Sequence, residues 1–305
     1  MNRSVVTLLL VLLIQCAMIG AVYWPQQSTV QQPTHYGLVT LDPANIDHIR
    51  IEDEYDNETL LVKTGEQWLL PELEGLPANP AKVVELLASI TAQDNSWPIA
   101  QSTTARQRFQ VADYHFQRSV SLGGAGKQLA TIYLGTSPGF RKVHARKKGT
   151  DAIYSINFNA FDAPGLSGAW VEPRLLQIRA PMQITADSYS LRRESEQWIS
   201  GTGGAPDARE LEALLNALRT LQVDGVAAED LQRELAAAEA DLLLQIQSLT
   251  GQTTLELFSL EGSYFINSSE YALFFTISAY DFDRLTGIDF QLMSAEPNNA
   301  GTPLY

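Results

Sequence analysis

Cysteine and histidine, the side chains that most often bind structural metals, are scarce in this sequence. Its 305 residues include one cysteine, Cys16, and four histidines. A lone cysteine excludes any disulfide within the chain, and a folded part without thiols suits an oxidising compartment. The sequence predicts no zinc centre either, because no two of the histidines stand at zinc-ligand spacing. These histidines are His35, His48, His115 and His144.

Recognisable catalytic motifs are missing as well. Ser167 lies in Gly165-Leu166-Ser167-Gly168, which lacks the Gly-x-Ser-x-Gly pattern of a nucleophile elbow. The glycine-rich run from Gly123 to Lys127 has the wrong spacing for a phosphate-binding loop, and it reads as a hairpin turn. Carboxylate pairs such as Asp281 and Asp283 do not by themselves indicate acid–base catalysis, which needs two groups that converge in a cleft of the fold. We therefore predict a protein without catalytic activity and without a cofactor.

An excess of basic charge is also absent. The 21 lysines and arginines are outnumbered by 35 aspartates and glutamates, which gives a net charge of −14. A chain of this sign repels phosphate backbones, so nucleic acid is excluded as an expected partner. The balance of 45% hydrophobic and 18% charged residues is typical of a folded globular protein.

One long apolar run is present, from Val5 to Val22. About 20 helical residues at 1.5 Å each cover the ~30 Å hydrocarbon core of a bilayer, so this run predicts one transmembrane helix. Arg3 precedes the run and Trp24 ends it, which predicts a single pass through the bacterial inner membrane, with the bulk of the chain in the periplasm. A cleaved signal peptide and lipidation of Cys16 remain alternatives to the uncleaved anchor.

An internal repeat determines the expected architecture. The tripeptide Glu66-Gln67-Trp68 returns as Glu196-Gln197-Trp198, preceded both times by alternating apolar runs. A helix-like stretch follows each copy, so that Leu86-Leu87 matches Leu214-Leu215. A repeat of this length indicates that one folding unit occurs twice in tandem.

We therefore predict an α+β protein with two tandem repeats, each a mostly antiparallel sheet with one or two helices on a face, after one N-terminal transmembrane helix. Three stretches predict the principal helices: Val83 to Ile90, Ala208 to Leu221 and Ala227 to Ala240. The expected segments are a transmembrane anchor at 1–24, a linker at 25–44, the first repeat at 45–161, an inter-repeat linker at 162–180, the second repeat at 181–294 and a polar tail at 295–305.

One segment departs from the acidic character of the chain. Five of the 21 basic side chains fall within eight residues, on a predicted hairpin whose first strand is Phe140 to Ala145. This segment has two interpretations: a solvated hairpin that discourages pairing at a sheet edge, or a docking patch for an acidic partner or anionic lipid. The candidate patch comprises Arg141, Lys142, His144, Arg146, Lys147 and Lys148.

The run from Leu134 to Arg146, with Gly135-Thr136-Ser137-Pro138-Gly139-Phe140 at its centre, resembles a bacterial envelope family, domain-of-unknown-function family 4340. Ala152-Ile153-Tyr154, Asp162-Ala163-Pro164 and Trp170 extend the resemblance. Members are similar to proteins encoded beside ABC-transporter components of the gliding-motility type. The resemblance implies an accessory role at the outer face of the inner membrane, and it implies no catalytic residue.

From these observations we expect a membrane-anchored periplasmic accessory or scaffold protein of an ABC-type envelope transport complex, with a permease or another envelope subunit as its partner. A binding module for an envelope polymer or anionic lipid is the first alternative. An unrecognised envelope enzyme is the second.

Overall fold

The computed structural model describes residues 38–91 and 97–294, together with three helical positions, Leu12, Gln15 and Met18. The predicted anchor, the 25–37 part of the predicted linker and the polar tail 295–305 otherwise lie outside the described residues. Among the residues that are described, no helix combines the length and the apolar character needed to span a membrane.

The first unit is built on an eight-stranded antiparallel sheet, and a two-stranded ribbon accompanies it. The order across the sheet is β10-β9-β8-β7-β1-β2-β3-β4, and β5 pairs with β6 in the ribbon. The strands are β1 (His48–Asp53), β2 (Glu58–Thr64), β3 (Gln67–Leu70), β4 (Leu76–Pro77), β5 (Val111–Ala112), β6 (His115–Phe116), β7 (Arg118–Gly124), β8 (Lys127–Leu134), β9 (Lys142–Lys147) and β10 (Ile153–Asn157).

The second unit is built on another eight-stranded antiparallel sheet. Its order is β13-β12-β11-β15-β16-β17-β18-β14. The strands are β11 (Pro181–Thr185), β12 (Ser190–Glu194), β13 (Gln197–Ser200), β14 (Val223–Val226), β15 (Leu242–Ser248), β16 (Gln252–Leu260), β17 (Ser263–Ser268) and β18 (Phe274–Ile277).

The two sheets share one connectivity. In each, a three-stranded meander leads into a helix, and the chain then returns beside the first strand to add four more strands, β7 to β10 or β15 to β18. Trp68 is the second residue of β3 and pairs with Lys63, whereas Trp198 is the second residue of β13 and pairs with Arg193. The two tryptophans therefore occupy corresponding positions, as the repeat predicted. Only the outermost strands differ: β4 extends the first sheet beyond β3, and β14 extends the second beyond β18.

The helices are short, and most of them begin at a side-chain cap. The α-helices within residues 38–294 are α1 (Pro80–Thr91), α2 (Thr103–Arg108), α3 (Ala208–Thr220), α4 (Glu229–Leu235), α5 (Ala279–Thr286) and α6 (Phe290–Ser294). The Asn79 side chain accepts from the backbone N–H groups of Ala81 and Lys82 at the start of α1, and Asp207 caps α3 in the same way. The predicted helix from Ala227 to Ala240 is wrong at both ends, because only Glu229–Leu235 is helical.

The main core is one continuous apolar cluster that includes side chains from both units. The helix α1 contributes Val83, Leu86, Leu87 and Ile90, which recur every three or four residues and so lie on one face. The fold is thus α+β, with two large antiparallel sheets and helices packed on them, as predicted.

The segment 162–180, predicted as an inter-repeat linker, is bonded to both units. Backbone N–H groups of Glu172 and Ile178 donate to the carbonyls of Pro77 and Leu218, at 2.9 and 3.0 Å. Trp170 in this segment is fully buried in the main core, and its indole N–H donates to the Pro164 carbonyl at 2.9 Å. The segment therefore packs as part of the fold between the two units.

Candidate functional site

The six residues of the predicted basic patch lie on or beside β9, and the pleat of that strand divides them. Side chains alternate between the two faces of a strand, so Val143 and Ala145 enter the main core while His144 and Arg146 point to the opposite face. Arg141, Lys142 and Lys148 are exposed, and Lys147 is half-buried. Since His144 and Arg146 are both buried, the structure corrects the predicted six-residue patch to four accessible residues.

His144 is held in a small aromatic pocket. Its ring stacks on Phe109 with centroids 4.0 Å apart, and its Nδ1 lies 2.9 Å from the Thr136 hydroxyl. Burial lowers the pKa of His144 below its ordinary value of 6.5, a backbone hydrogen bond with Thr136 opposes that shift, and the nearby Arg108 cation lowers the pKa further. The neutral imidazole is therefore a packing residue here.

Arg146 is buried to 2% exposure, and each of its three guanidinium nitrogens has a partner. Its Nε donates to the Val111 carbonyl at 2.6 Å, and Nη1 donates to the Thr150 carbonyl at 3.1 Å. The remaining nitrogen pairs with Asp113, and the guanidinium lies 5.0 Å from the centre of the Tyr133 ring. These contacts hold the β5–β6 ribbon against the sheet, so Arg146 stabilises the fold and is not free for a partner.

The ribbon belongs to a segment that covers the outer face of the first sheet. Residues 99–117 carry α2, β5 and β6, and they bury Val111, Tyr133 and Ile153 in a second apolar cluster. The same segment meets the edge strand β10, because Ala100 forms a bridge with Ile153. The strand β9 itself lies inside the sheet, so its cations do not protect an edge from pairing.

The accessible cations of β9 lie at opposite ends of the strand. Five residue steps at about 3.3 Å separate Lys142 from Lys147, so the two ends are about 17 Å apart. At one end, Lys147 and Lys148 adjoin the turn that leads to β10. At the other end, Arg141 and Lys142 follow Phe140, whose side chain is 93% exposed.

We call the segment Thr136–Lys142 the tip loop. Its backbone is closed by a hydrogen bond from Lys142 N–H to the Gly139 carbonyl at 3.2 Å and by one from the Ser137 hydroxyl to the same carbonyl at 2.7 Å. Arg141 has a φ of 51°, a left-handed conformation that non-glycine residues seldom adopt. Its carbonyl accepts from Phe158 N–H at 3.0 Å. The loop is therefore fixed to its neighbours, and it projects Phe140 outward.

A third cation lies close to the tip loop. Arg108 ends α2 with its guanidinium 4.7 Å from the centre of the Phe109 ring, and the Phe109 carbonyl accepts from Thr136 N–H at 2.9 Å. Among the described residues, no acidic side chain forms an ion pair with Arg108, Arg141 or Lys142. The tip is thus a large exposed aromatic side chain accompanied by uncompensated positive charge.

A second candidate site, which sequence reasoning did not predict, is a polar cleft of about 550 Å³ in the second unit. It lies between the end of α3, the edge strand β14 and the start of α5. The first sheet has no strand at the position of β14, and β10 is followed by a three-residue 3-10 helix, Ala160–Asp162, where β18 is followed by α5. The cleft is therefore formed where the second unit departs from the shared plan.

One side of the cleft is an interlocked set of polar side chains. The Ser278 hydroxyl donates to Asp281 at 3.1 Å and caps α5 by accepting from the backbone N–H of that residue. Arg284 lies 3.6 Å from the Asp281 carboxylate and donates to the Thr220 hydroxyl at 2.9 Å. Tyr280 is exposed, with the Arg284 guanidinium 5.1 Å from its ring centre. The Ser278-x-x-Asp281 spacing of a helix cap was the one signal in the sequence.

Three further side chains of the cleft are exposed and are not engaged within the protein. The side chains of Asn216, Gln222 and Asp224 line the cleft and form no hydrogen bond or ion pair with another described residue. Partial burial raises the pKa of Asp224 above its ordinary value, and the neighbouring Asp281 carboxylate raises it further. Within the described part of the chain, no three His, Cys, Asp or Glu residues are grouped to hold a metal ion.

The chain was compared with known proteins. No curated protein and no solved structure matches it. A family model described as a domain of unknown function, DUF4340, matches residues 68–241, which is more than half of the chain. This range includes the tip loop and the Asn216, Gln222 and Asp224 side of the cleft. With the predicted resemblance confirmed over this length, the chain belongs to the DUF4340 family.

Proposed function

We propose that this protein is a membrane-anchored, non-catalytic accessory subunit of an ABC-type envelope transport complex, and that its tip loop docks on an acidic surface of a partner subunit. The anchor is the predicted helix at Val5 to Val22, which would hold the folded part on the periplasmic side of a bacterial inner membrane. The observation that carries the proposal is the exposure of Phe140 directly before Arg141 and Lys142.

The composition of the tip loop favours a protein partner. Interfaces derive most of their affinity from a few aromatic and arginine side chains that become desolvated at the centre of contact. Phe140 provides the aromatic group at 93% exposure, and Arg141 and Lys142 follow it directly. Because the chain as a whole carries a charge of −14, an acidic partner would be repelled elsewhere and attracted here. The local charge thus selects the orientation of docking.

The fixed backbone of the loop supports the same proposal. Binding through a flexible loop loses free energy, because the loop must be ordered when the complex forms. Here the Gly139–Lys142 bridge and the Phe158–Arg141 hydrogen bond already hold Phe140 outward. A partner would therefore meet a preformed surface.

The test is co-purification of the full-length protein from its native membranes. The triple variant Phe140→Ala, Arg141→Gln, Lys142→Gln should lose a permease or ATPase subunit that the wild-type protein captures in stoichiometric amount. The wild-type association should also weaken as salt rises, since a Debye length of about 10 Å at 0.1 M screens such attraction. The matched control is Lys147→Gln, Lys148→Gln, which removes two cations from the other end of the same strand. Equal recovery with both variants, or no transporter subunit with wild type, would refute the proposal.

Anionic lipid is a second candidate partner, because an exposed aromatic residue beside cations also suits a membrane interface. A single dye attached at Phe140→Cys in a Cys16→Ser background can distinguish the two partners in proteoliposomes. A blue-shifted emission that requires phosphatidylglycerol would favour the lipid. Unchanged emission, together with transporter capture, would favour the protein partner.

A further inference from the structure

We infer that the polar cleft of the second unit is a binding site for a neutral glycan. The inference is independent of the docking function proposed for the tip loop, because the cleft is built from different elements of the chain. Its volume of about 550 Å³ lies within the range of small-ligand sites, roughly 300–1,000 Å³.

The mixture of side chains matches the chemistry of sugar hydroxyls. A hydroxyl group both donates and accepts a hydrogen bond, so its site needs donors and acceptors side by side. The carboxylate of Asp224 accepts, the guanidinium of Arg284 donates, and the amides of Asn216 and Gln222 do both. Three of these four side chains, all except Arg284, are without a partner among the described residues. All three are exposed to solvent, so a ligand rich in hydroxyl groups would replace water at all of them together.

An aromatic side chain at the rim provides the second element of sugar recognition. Tyr280 is 69% exposed, although it adjoins the cleft and is held by Arg284. The C–H face of a sugar ring is apolar and packs against such a ring, which an ion or a compact polar metabolite does not require. The tyrosine and the free amides thus indicate an extended polyhydroxylated ligand.

The charges of the cleft exclude the simplest ionic ligands. Asp224 and Asp281 outnumber Arg284, so an anionic ligand would meet a net negative charge. A cation would have to compete with Arg284, which lies 3.6 Å from the Asp281 carboxylate. A neutral ligand meets neither obstacle.

The interlocked residues make the site ready for binding. The Ser278–Asp281 hydrogen bond at 3.1 Å fixes the start of α5, and the Arg284–Thr220 hydrogen bond at 2.9 Å ties this helix to the end of α3. Both helices line the cleft, so its shape is fixed by a bond within the protein. Little ordering should accompany binding, which favours measurable affinity even for an uncharged ligand.

The experiment is isothermal titration of the full-length protein, solubilised in a detergent without a sugar headgroup. The probes are neutral tetrasaccharides of hexose and of N-acetylhexosamine, with inorganic sulfate and spermidine as anionic and cationic comparisons. We expect saturable binding of at least one neutral tetrasaccharide and none of the two ions. The variants Tyr280→Ala and Asp224→Ala should each weaken the Kd about tenfold, through loss of ring stacking and of a hydrogen-bond acceptor.

The control is Tyr55→Ala, which removes an exposed tyrosine from the first unit and should leave the Kd unchanged. Tyr280 and Asp224 are both exposed, so their alanine variants should unfold at the same urea concentration as the wild type. Urea unfolding of the samples used for titration verifies this. The inference fails if no neutral tetrasaccharide binds, if sulfate or spermidine binds in their place, or if both variants keep the wild-type Kd.

Discussion

Arg146 illustrates how a single residue can be misjudged from its sequence neighbours. It belongs to a run of cations and was predicted to be accessible, yet its guanidinium contacts Val111, Asp113 and Tyr133 across 13 to 35 positions of sequence. Such contacts appear only after α2 and the β5–β6 ribbon have folded over the outer face of the sheet. Composition alone predicts a solvated arginine, because buried arginines are rare unless they are paired.

Replacing Arg146 should therefore destabilise the protein without affecting the tip loop. We expect Arg146→Ala to lower the free energy of unfolding by about 2–4 kcal/mol, since it leaves buried carbonyls without a donor and removes the packing on Tyr133. Lys148→Ala, at an exposed position in the same run, should change it by less than about 0.5 kcal/mol. Urea unfolding of the purified full-length protein measures both values, and similar values would contradict the burial of the guanidinium.

His144 should give the stability of the first unit a dependence on pH. Its pKa is lowered in the folded state, so the unfolded state binds more protons between that lowered value and 6.5. The contribution of His144 to the free energy of unfolding should therefore be fully present above about pH 6.5. It should decrease as the pH falls below that value. His144→Gln should lack this decrease, whereas His115→Gln, at an exposed histidine, should retain it. Unfolding titrations at pH 8 and pH 5.5 provide the comparison, and an unchanged slope in His144→Gln would refute it.

At the scale of elements, the added strands explain why the two corresponding tryptophans differ in environment. Beyond β3, the strand β4 completes the sheet, and Ala78 N–H donates to the Trp68 carbonyl at 2.8 Å. No strand of the described chain lies beyond β13, the counterpart of β3. Trp68 is consequently buried at 7% exposure, whereas Trp198 is only half-buried.

The two Trp→Ala substitutions should accordingly have unequal effects. We expect Trp68→Ala to reduce the free energy of unfolding by about 3–5 kcal/mol, because it leaves a cavity in the core. Trp198→Ala should reduce it by roughly 1–2 kcal/mol, because much of that side chain already contacts solvent. Thermal unfolding of the two variants side by side tests the difference. Equal losses would mean that an additional element covers β13.

The parts of the fold that were predictable are those encoded in local periodicity and in the repeat. The apolar spacing of Val83, Leu86, Leu87 and Ile90 predicted α1, and the returning Glu-Gln-Trp tripeptide predicted the corresponding meanders. The helix α2, the edge strand β14 and the helix α5 were not predicted, although α3, which also lines the cleft, was. They are short, and their residues are placed by contacts with distant elements, such as the 64 positions between Thr220 and Arg284. Periodicity over a few residues cannot show such contacts.

At the scale of the whole molecule, the segment 162–180 makes the two units depend on each other. The Thr59 hydroxyl donates to the Gly165 carbonyl at 2.6 Å, and Asn79 N–H donates to the Trp170 carbonyl at 2.7 Å, which fixes the segment to the first unit. Val223 N–H donates to the Pro173 carbonyl at 2.8 Å, which fixes it to the second. Because one apolar cluster spans both units, we expect unfolding of either unit to expose apolar side chains of the other.

Trp170 lies at the centre of this arrangement, so its replacement should weaken both units together. We expect Trp170→Ala to lower the free energy of unfolding by about 3–5 kcal/mol while preserving a single cooperative transition. Trp97→Ala, which removes an exposed tryptophan, is the matched control and should leave the midpoint unchanged.

Urea unfolding followed by circular dichroism gives the midpoint, and hydrogen exchange followed by mass spectrometry reports on peptides from each unit. If the units share one core, peptides from β8 and from β16 should lose protection equally in Trp170→Ala. Loss of protection in only one of the two strands, or two separate unfolding transitions, would show instead that each repeat holds a core of its own and that segment 162–180 merely connects them.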